Sequence, residues 1–133
     1  MQIQSVFKSV IWVDQKLDFL KSLDKASNKY IKEAKKTKEA KAYIKKFGDF
    51  GRSYHSSALL EDTDFWDLKR YINQKALEYL HHQGYEMSLY DLFFNELWVQ
   101  EFAKKGGGHH NAHIHWNQHV SGFYFLKCSE NTS

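Results

Sequence analysis

Five of the eight histidines in this chain fall between positions 109 and 119, in the run His109-His110-Asn111-Ala112-His113-Ile114-His115-Trp116-Asn117-Gln118-His119-Val120. Neutral imidazole binds zinc, iron, copper and nickel alike, so the cluster points first to metal coordination. Side chains alternate in a strand. The run would then set Asn111, His113, His115, Asn117 and His119 on one face and Ala112, Ile114, Trp116 and Val120 on the other. With a rise of about 3.3 Å per residue, the α-carbons of His113 and His115 would lie about 6.6 Å apart on one side, which lets two imidazoles converge on one ion. The same pattern also suits a polar sheet face hydrogen-bonded to water. The lack of cysteine partners for Cys128, the sole cysteine, argues against a structural zinc finger. Nucleophilic and phosphate-loop chemistry find little support. Cys128 lies in an apolar stretch expected to be a strand, no serine has a Gly-x-Ser-x-Gly setting, and Gly106-Gly107-Gly108 lacks the Lys-Ser/Thr ending of a phosphate loop.

The elements that must position this run are legible from periodicity. Leu92 to Phe102 suits a strand, and Lys104-Lys105-Gly106-Gly107-Gly108 forms a turn leading into the histidines. Upstream, Phe65, Leu68, Ile72, Ala76 and Tyr79 or Leu80 repeat at three and four, which predicts a helix from Asp64 to Gln83 with Asp62 or Thr63 capping its start and Gly84 at its end. Gly48 to Gly51 breaks the chain before a polar loop, Arg52-Ser53-Tyr54-His55-Ser56-Ser57. Before the break, Leu17, Leu20, Leu23, Ser27, Ile31 and Ala34 mark the apolar face of a lysine-rich helix or helix pair ending near Phe47. Val6, Val10, Ile11, Trp12 and Val13 suggest an opening strand that stops at Asp14. Helices come first and strands last, so the class is α+β. The chain reads as one domain, 1–133, in three parts: a lysine-rich helical part at 1–48, a loop and helix at 49–89, and a β-strand part with the His cluster at 90–133.

Composition bounds the function. The 133 residues are 42% hydrophobic and 17% aromatic, which suits a packed domain and excludes a solvating tail. No apolar run approaches the roughly 20 residues needed to span a bilayer, and the first residues do not resemble a secretion signal, so no membrane and a cytoplasmic location are expected. The net charge is +3, yet Lys29 to Lys46 holds eight lysines and two glutamates, leaving the remainder near −3. That stretch reads as a solvated helix face, with an electrostatic contact to an acidic partner or nucleic acid as the alternative. Arg52 and Arg70 are the only arginines, which argues against nucleic acid as a partner.

His113-Ile114-His115, then Ser121-Gly122-Phe123-Tyr124-Phe125-Leu126, resembles the His-x-His, six-residue gap, Ser-Gly-x-Tyr-Tyr-Leu signature of an iron(II)/2-oxoglutarate oxygenase family common in tailed phages and marine bacteria. The Ser53-Tyr54-His55-Ser56 loop, Glu96-Leu97-Trp98-Val99 and the glycine turn follow the family pattern in the same order. The resemblance covers roughly residues 50 to 133. It implies antiparallel strands forming part of a double-stranded β-helix, or jelly roll, behind the N-terminal helices. It also implies Fe(II) as cofactor, 2-oxoglutarate as cosubstrate with release of succinate, and host-cell cytoplasm if phage-encoded. By match, His113 is the first metal ligand. Tyr124 is a candidate to hydrogen-bond 2-oxoglutarate and Asn117 to orient a ligand from the His face, while His55 and Trp98 are candidates for substrate contact.

The chain departs from the pattern in two places. His115 stands where the family has a carboxylate, and no Asp or Glu occurs between Phe102 and Ser129. His115 is therefore either a ligand or a neighbour of one. The family also continues with a proline-rich half carrying a distal His and an Arg, whereas this chain has no proline and ends at Asn131-Thr132-Ser133, a sequon attributed to chance. The expectation is a dioxygenase or its N-terminal fragment, needing a second chain or a missing C-terminal half, with the substrate unidentified. Two alternatives stay open: a noncatalytic His-face metal module, and a basic interaction module working through Lys29 to Lys46. His81 and His82 are expected at a helix end for the dipole, Trp98 and Trp116 in the core, and His109 and His119 exposed.

Overall fold

The computed structural model describes residues 10–104 and 106–128. Three helices, α1 (Leu20–Ala34), α2 (Lys38–Phe47) and α3 (Trp66–His82), accompany two short strands, β1 (Ser53–His55) and β2 (Gln100–Phe102). Single 3-10 turns lie at Thr63–Phe65 and Met87–Leu89. The architecture is α+β, helices with one two-stranded antiparallel sheet.

Local chemistry explains the helix limits. In α1 the buried positions Leu23, Ala26, Ser27 and Ile31 recur at three and four, so one stripe faces inward and the lysines face water. Thr37 caps α2 by accepting the Ala40 N–H at 3.2 Å. Glu39 in its first turn and Lys45 and Lys46 in its last match the helix dipole. Gly48, at φ +71°, ends it. Asp62 opens the 3-10 turn before α3 by accepting the Asp64 N–H at 2.9 Å. The end of α3 is a Schellman motif: Tyr85 N–H reaches Leu80 O at 3.1 Å and Gly84 N–H reaches His81 O at 2.9 Å, with Gly84 at φ +93°. His81 and His82 occupy the last turn of α3, as expected.

Two apolar clusters meet at Val99. One joins Leu23, Ala26, Leu59, Phe65 and Leu68, with Tyr124 and Leu126 packed against it from the far end of the chain. The other joins Ile31, Ala40 and Tyr54. In the sheet Ser53 pairs with Phe102, Tyr54 with Glu101 and His55 with Gln100. The pairing is prolonged by Ala103 N–H to Arg52 O at 2.8 Å and by Ser56 N–H to Val99 O at 3.0 Å. Tyr54 faces inward; by alternation Ser53, His55, Gln100 and Phe102 take the opposite face.

Several expected strands do not form among the described residues. Residues 10–13 make no ladder, and Ile11 and Val13 are exposed; Val6 lies outside the described residues, as do Lys105 of the glycine turn and Asn131-Thr132-Ser133. Of Leu92 to Phe102, only the last three residues pair. Residues 106–128 form no strand. Ile114, Trp116, Phe123 and Phe125 are exposed, so the anticipated apolar face of the His strand and the core place of Trp116 are corrected. Cys128 is exposed and belongs to no strand. The reason is common to all of these. A strand needs a neighbour for its N–H and C=O groups and a layer for its apolar side chains, and β-propensity supplies neither. No helix among the described residues is long and apolar enough to cross a membrane.

Candidate metal centre

The His run is anchored at its start. Gly51 N–H donates to Gly106 O at 2.9 Å, which ties the glycine turn to the Gly48–Gly51 break. Gly108 lies so close to the sheet that a Cβ there would meet Ala103 N and Arg52 O at 3.0 Å. The next residue is held by Ser53, whose Oγ donates to His109 O at 3.0 Å. Ser53 sits on the outer face of β1, so the histidines leave from the sheet face that carries His55.

Beyond this anchor a backbone carbonyl organises the imidazoles. Asn111 O is 2.9 Å from His113 Nδ1 and 3.1 Å from His110 Nδ1. A carbonyl can only accept, so both Nδ1 atoms carry hydrogen, and each neutral ring then has its lone pair on Nε2. His113 Nε2 lies 3.1 Å from His115 Nε2. One proton, on His115, serves that contact without a metal. A divalent ion can take the proton's place: with metal–nitrogen bonds of about 2.0–2.1 Å, two ligands on one ion have nitrogens about 2.9–3.4 Å apart. The carbonyl on the far nitrogen is the usual support that orients a ligating imidazole. The His110 ring lies tilted against His113, with ring centroids 4.4 Å apart. No group of three His, Cys, Asp or Glu side chains able to hold one ion occurs among the described residues.

The other candidates fall in two places. His55 and Trp98 stack, with centroids 5.1 Å apart and planes at 26°, in an open groove also lined by Ala58, Asn95, Glu96 and Leu97. His55 Nδ1 donates to Ser56 O at 2.8 Å, which leaves Nε2 toward solvent or ligand. Trp98 is half-buried, between the core place expected of it and an open platform. Tyr124 is elsewhere: it packs on the α1 core and its hydroxyl donates to Lys16 O, while burial raises its pKa. Asn117 is exposed in a turn at φ +55°, which breaks the alternation that would have carried it to the His face. His109 and His119 are exposed, as expected, and His119 meets the edge of Tyr85.

Three contributors escape a reading of residue types. The carbonyl of Asn111 acts through the backbone, which no side chain advertises. Ser53 and Gly108 act through tertiary proximity; the two-residue offset of Ser53 from His55 is the one hint that they share a face.

No family model matches the chain, no curated protein matches it, and no solved structure matches it.

Proposed function

We propose that the chain carries the metal-holding part of an iron(II)/2-oxoglutarate dioxygenase, with His113 and His115 as ligands through Nε2. One observation carries this reading: the 3.1 Å approach of two Nε2 atoms, with His113 fixed from behind by Asn111 O. Bound iron would supply dioxygen activation and a template for 2-oxoglutarate, whose oxidative decarboxylation yields succinate. The protein's part is to hold two neutral imidazoles at ligand spacing and leave the remaining positions open. The His55–Trp98 groove is the proposed substrate contact, with the indole as a flat wall and His55 Nε2 as the polar group. In this reading β1 and β2 belong to a double-stranded β-helix, and Ile114, Trp116, Phe123 and Phe125 await cover from its other strands or a second chain.

A second reading, a noncatalytic metal module, is favoured by the absence of a third ligand beside the pair among the described residues and by the commitment of Tyr124 to Lys16 O. One pair of measurements separates them. Anaerobic titration with Fe(II) or Co(II) is expected to show binding that His113→Ala and His115→Ala abolish. Succinate release from 2-oxoglutarate by the iron-loaded protein supports the dioxygenase; binding without succinate supports the module. No metal binding at all overturns both.

A further inference from the structure

The metal site leaves α2 unused, and at the C-terminal end of this helix Lys46 and Arg52 stand beside aromatic rings. Between positions 36 and 52 stand six cations, Lys36, Lys38, Lys41, Lys45, Lys46 and Arg52, against the two carboxylates Glu39 and Asp49. Asp49 is already committed: it accepts the Tyr54 hydroxyl and the Lys104 N–H. The ion pairs among the described residues involve Lys16, Lys29, Lys35, Arg70, Lys75 and Lys127, and none reaches this group.

The rings are arranged between the cations. Tyr43 and Phe47 lie 5.0 Å apart, centroid to centroid. Arg52 Cζ sits 5.0 Å from the Tyr43 ring and Lys46 Nζ 4.8 Å from the Phe47 ring. Tyr43 is held by its hydroxyl on Phe50 O at 3.0 Å, and a Cβ on Gly107 would lie 3.0 Å from the Phe50 ring, so Phe50 rests on the glycine turn. Phe47 and Phe50 nonetheless remain 56% and 60% exposed. Burial does not explain rings kept open and flanked by cations.

We infer that the C-terminal end of α2 and the Gly48–Gly51 break bind single-stranded nucleic acid: Lys46 and Arg52, beside the rings, neutralise phosphates, the lysines on the outer side of α2 extend the positive field, and Phe47 and Phe50 stack on unpaired bases. Charge complementarity identifies a polyanion, and open rings identify one with exposed flat faces. An anionic membrane would use a continuous apolar helix face, whereas α2 turns Ala40, its innermost residue, into the protein core. Duplex DNA offers no unstacked bases to the rings. The shortage of arginine matters less for such a partner, since stacking and phosphate neutralisation need no bidentate base contact.

The test is fluorescence anisotropy with a labelled 20-mer of deoxythymidine, in EDTA so that metal plays no part, alongside a duplex of equal length and phosphatidylserine vesicles. Binding is expected to weaken about 20- to 50-fold between 50 and 200 mM salt, as for three or four neutralised single-strand phosphates. Phe47→Leu and Phe50→Leu, which keep an apolar side chain without the ring, should each weaken it about fivefold or more. Lys45→Ala with Lys46→Ala should flatten the salt dependence, and circular dichroism checks that α2 survives. No binding at 50 mM salt, equal binding by the Leu variants, preference for the duplex, or binding to vesicles in place of the oligonucleotide overturns the inference.

Discussion

The stretch from Tyr54 to Leu80 and the stretch from His109 to Cys128 both mix aromatic and aliphatic residues with polar ones, yet they behave differently. In the first, Tyr54, Leu59, Phe65, Leu68, Ala76 and Leu80 are buried; Leu59, Phe65 and Leu68 cluster with Leu23 and Ala26 of α1, and Tyr54 with Ile31 and Ala40. In the second, Ile114, Trp116, Phe123 and Phe125 face solvent, and only Tyr124 and Leu126 reach the core. The first stretch contains a helix whose hydrogen bonds close within itself, so its apolar stripe is ready to dock. The second has strand-forming residues whose hydrogen bonds must be found elsewhere, and the described structure has no strand beside it. Apolar content earns stability only where an opposing layer exists.

The sharpest test of that contrast is a pair of truncations. Leu59→Ala, at 1% exposure, is expected to cost about 2–5 kcal/mol in urea unfolding. Phe125→Ala, at 74% exposure, should change stability by less than about 0.5 kcal/mol. Equal costs would break the comparison by showing that Phe125 is covered in solution.

A second pair lies within the glycines. Gly108→Ala places a methyl 3.0 Å from backbone atoms of Ala103 and Arg52 and should cost about 1–3 kcal/mol, whereas Gly122→Ala meets nothing within 4 Å and should cost far less. Because Gly108 precedes the anchor of the His run, its variant should also weaken Co(II) binding, which calorimetry would read.

The pH dependence of stability probes the packed half from both ends. The Tyr30 hydroxyl, then the Asp64 N–H, hold the Asp62 carboxyl below its ordinary value of 3.8. Its contribution is therefore present above about pH 4 and lost as pH falls through the lower folded value. Burial first, and the hydrogen bond to Asp49 next, push Tyr54 up to about 12. The hydrogen bond to Asp14 pushes Tyr71 up to about 12 as well. A folded tyrosine that holds its proton longer than the unfolded one stabilises fully below about pH 10 and loses that contribution as pH rises toward 12. Melting temperatures should fall at both extremes, and Tyr54→Phe should reduce the alkaline loss. An unchanged alkaline limb in that variant would remove Tyr54 from the account.

The smallest expected change is Ser53→Ala, about 0.5–1 kcal/mol or less for one exposed hydrogen bond. Its value lies in the ratio of effects: a larger loss in Co(II) affinity than in stability would show that Ser53 positions the histidines.

The helical part was readable in detail. The α1 stripe from Leu23 to Ile31, the Asp62 cap and the Gly84 terminus all follow from residues within a few positions of one another and stand where their spacing predicts, whereas Leu17, expected to open the stripe, precedes the helix and is exposed. The candidate site was readable for a partly different reason from the one its sequence suggests. His113 and His115 do meet, with the Asn111 carbonyl on the far nitrogen of His113, but in a segment that is no strand. His55 and Trp98, forty-three positions apart, stack because the sheet register sets β1 beside the residues leading into β2. Tyr124 shares the signature run with the histidines, yet its contacts are with α1 and Lys16.

By itself, the sequence determined α3 with its Asp62 cap and Gly84 terminus, the lysine-rich helical character of the stretch ahead of it up to the Gly48 break, and the presence of an imidazole pair two residues apart. These depend on propensity, periodicity and capping, which act over a single turn of chain. Only the tertiary structure decided which apolar residues are core, how little of the strand-like sequence pairs, and which face of the sheet the His run leaves from. Burial and strand pairing depend on what lies opposite, and for residues 109–128 that is set by contacts with α1, the glycine turn and the sheet.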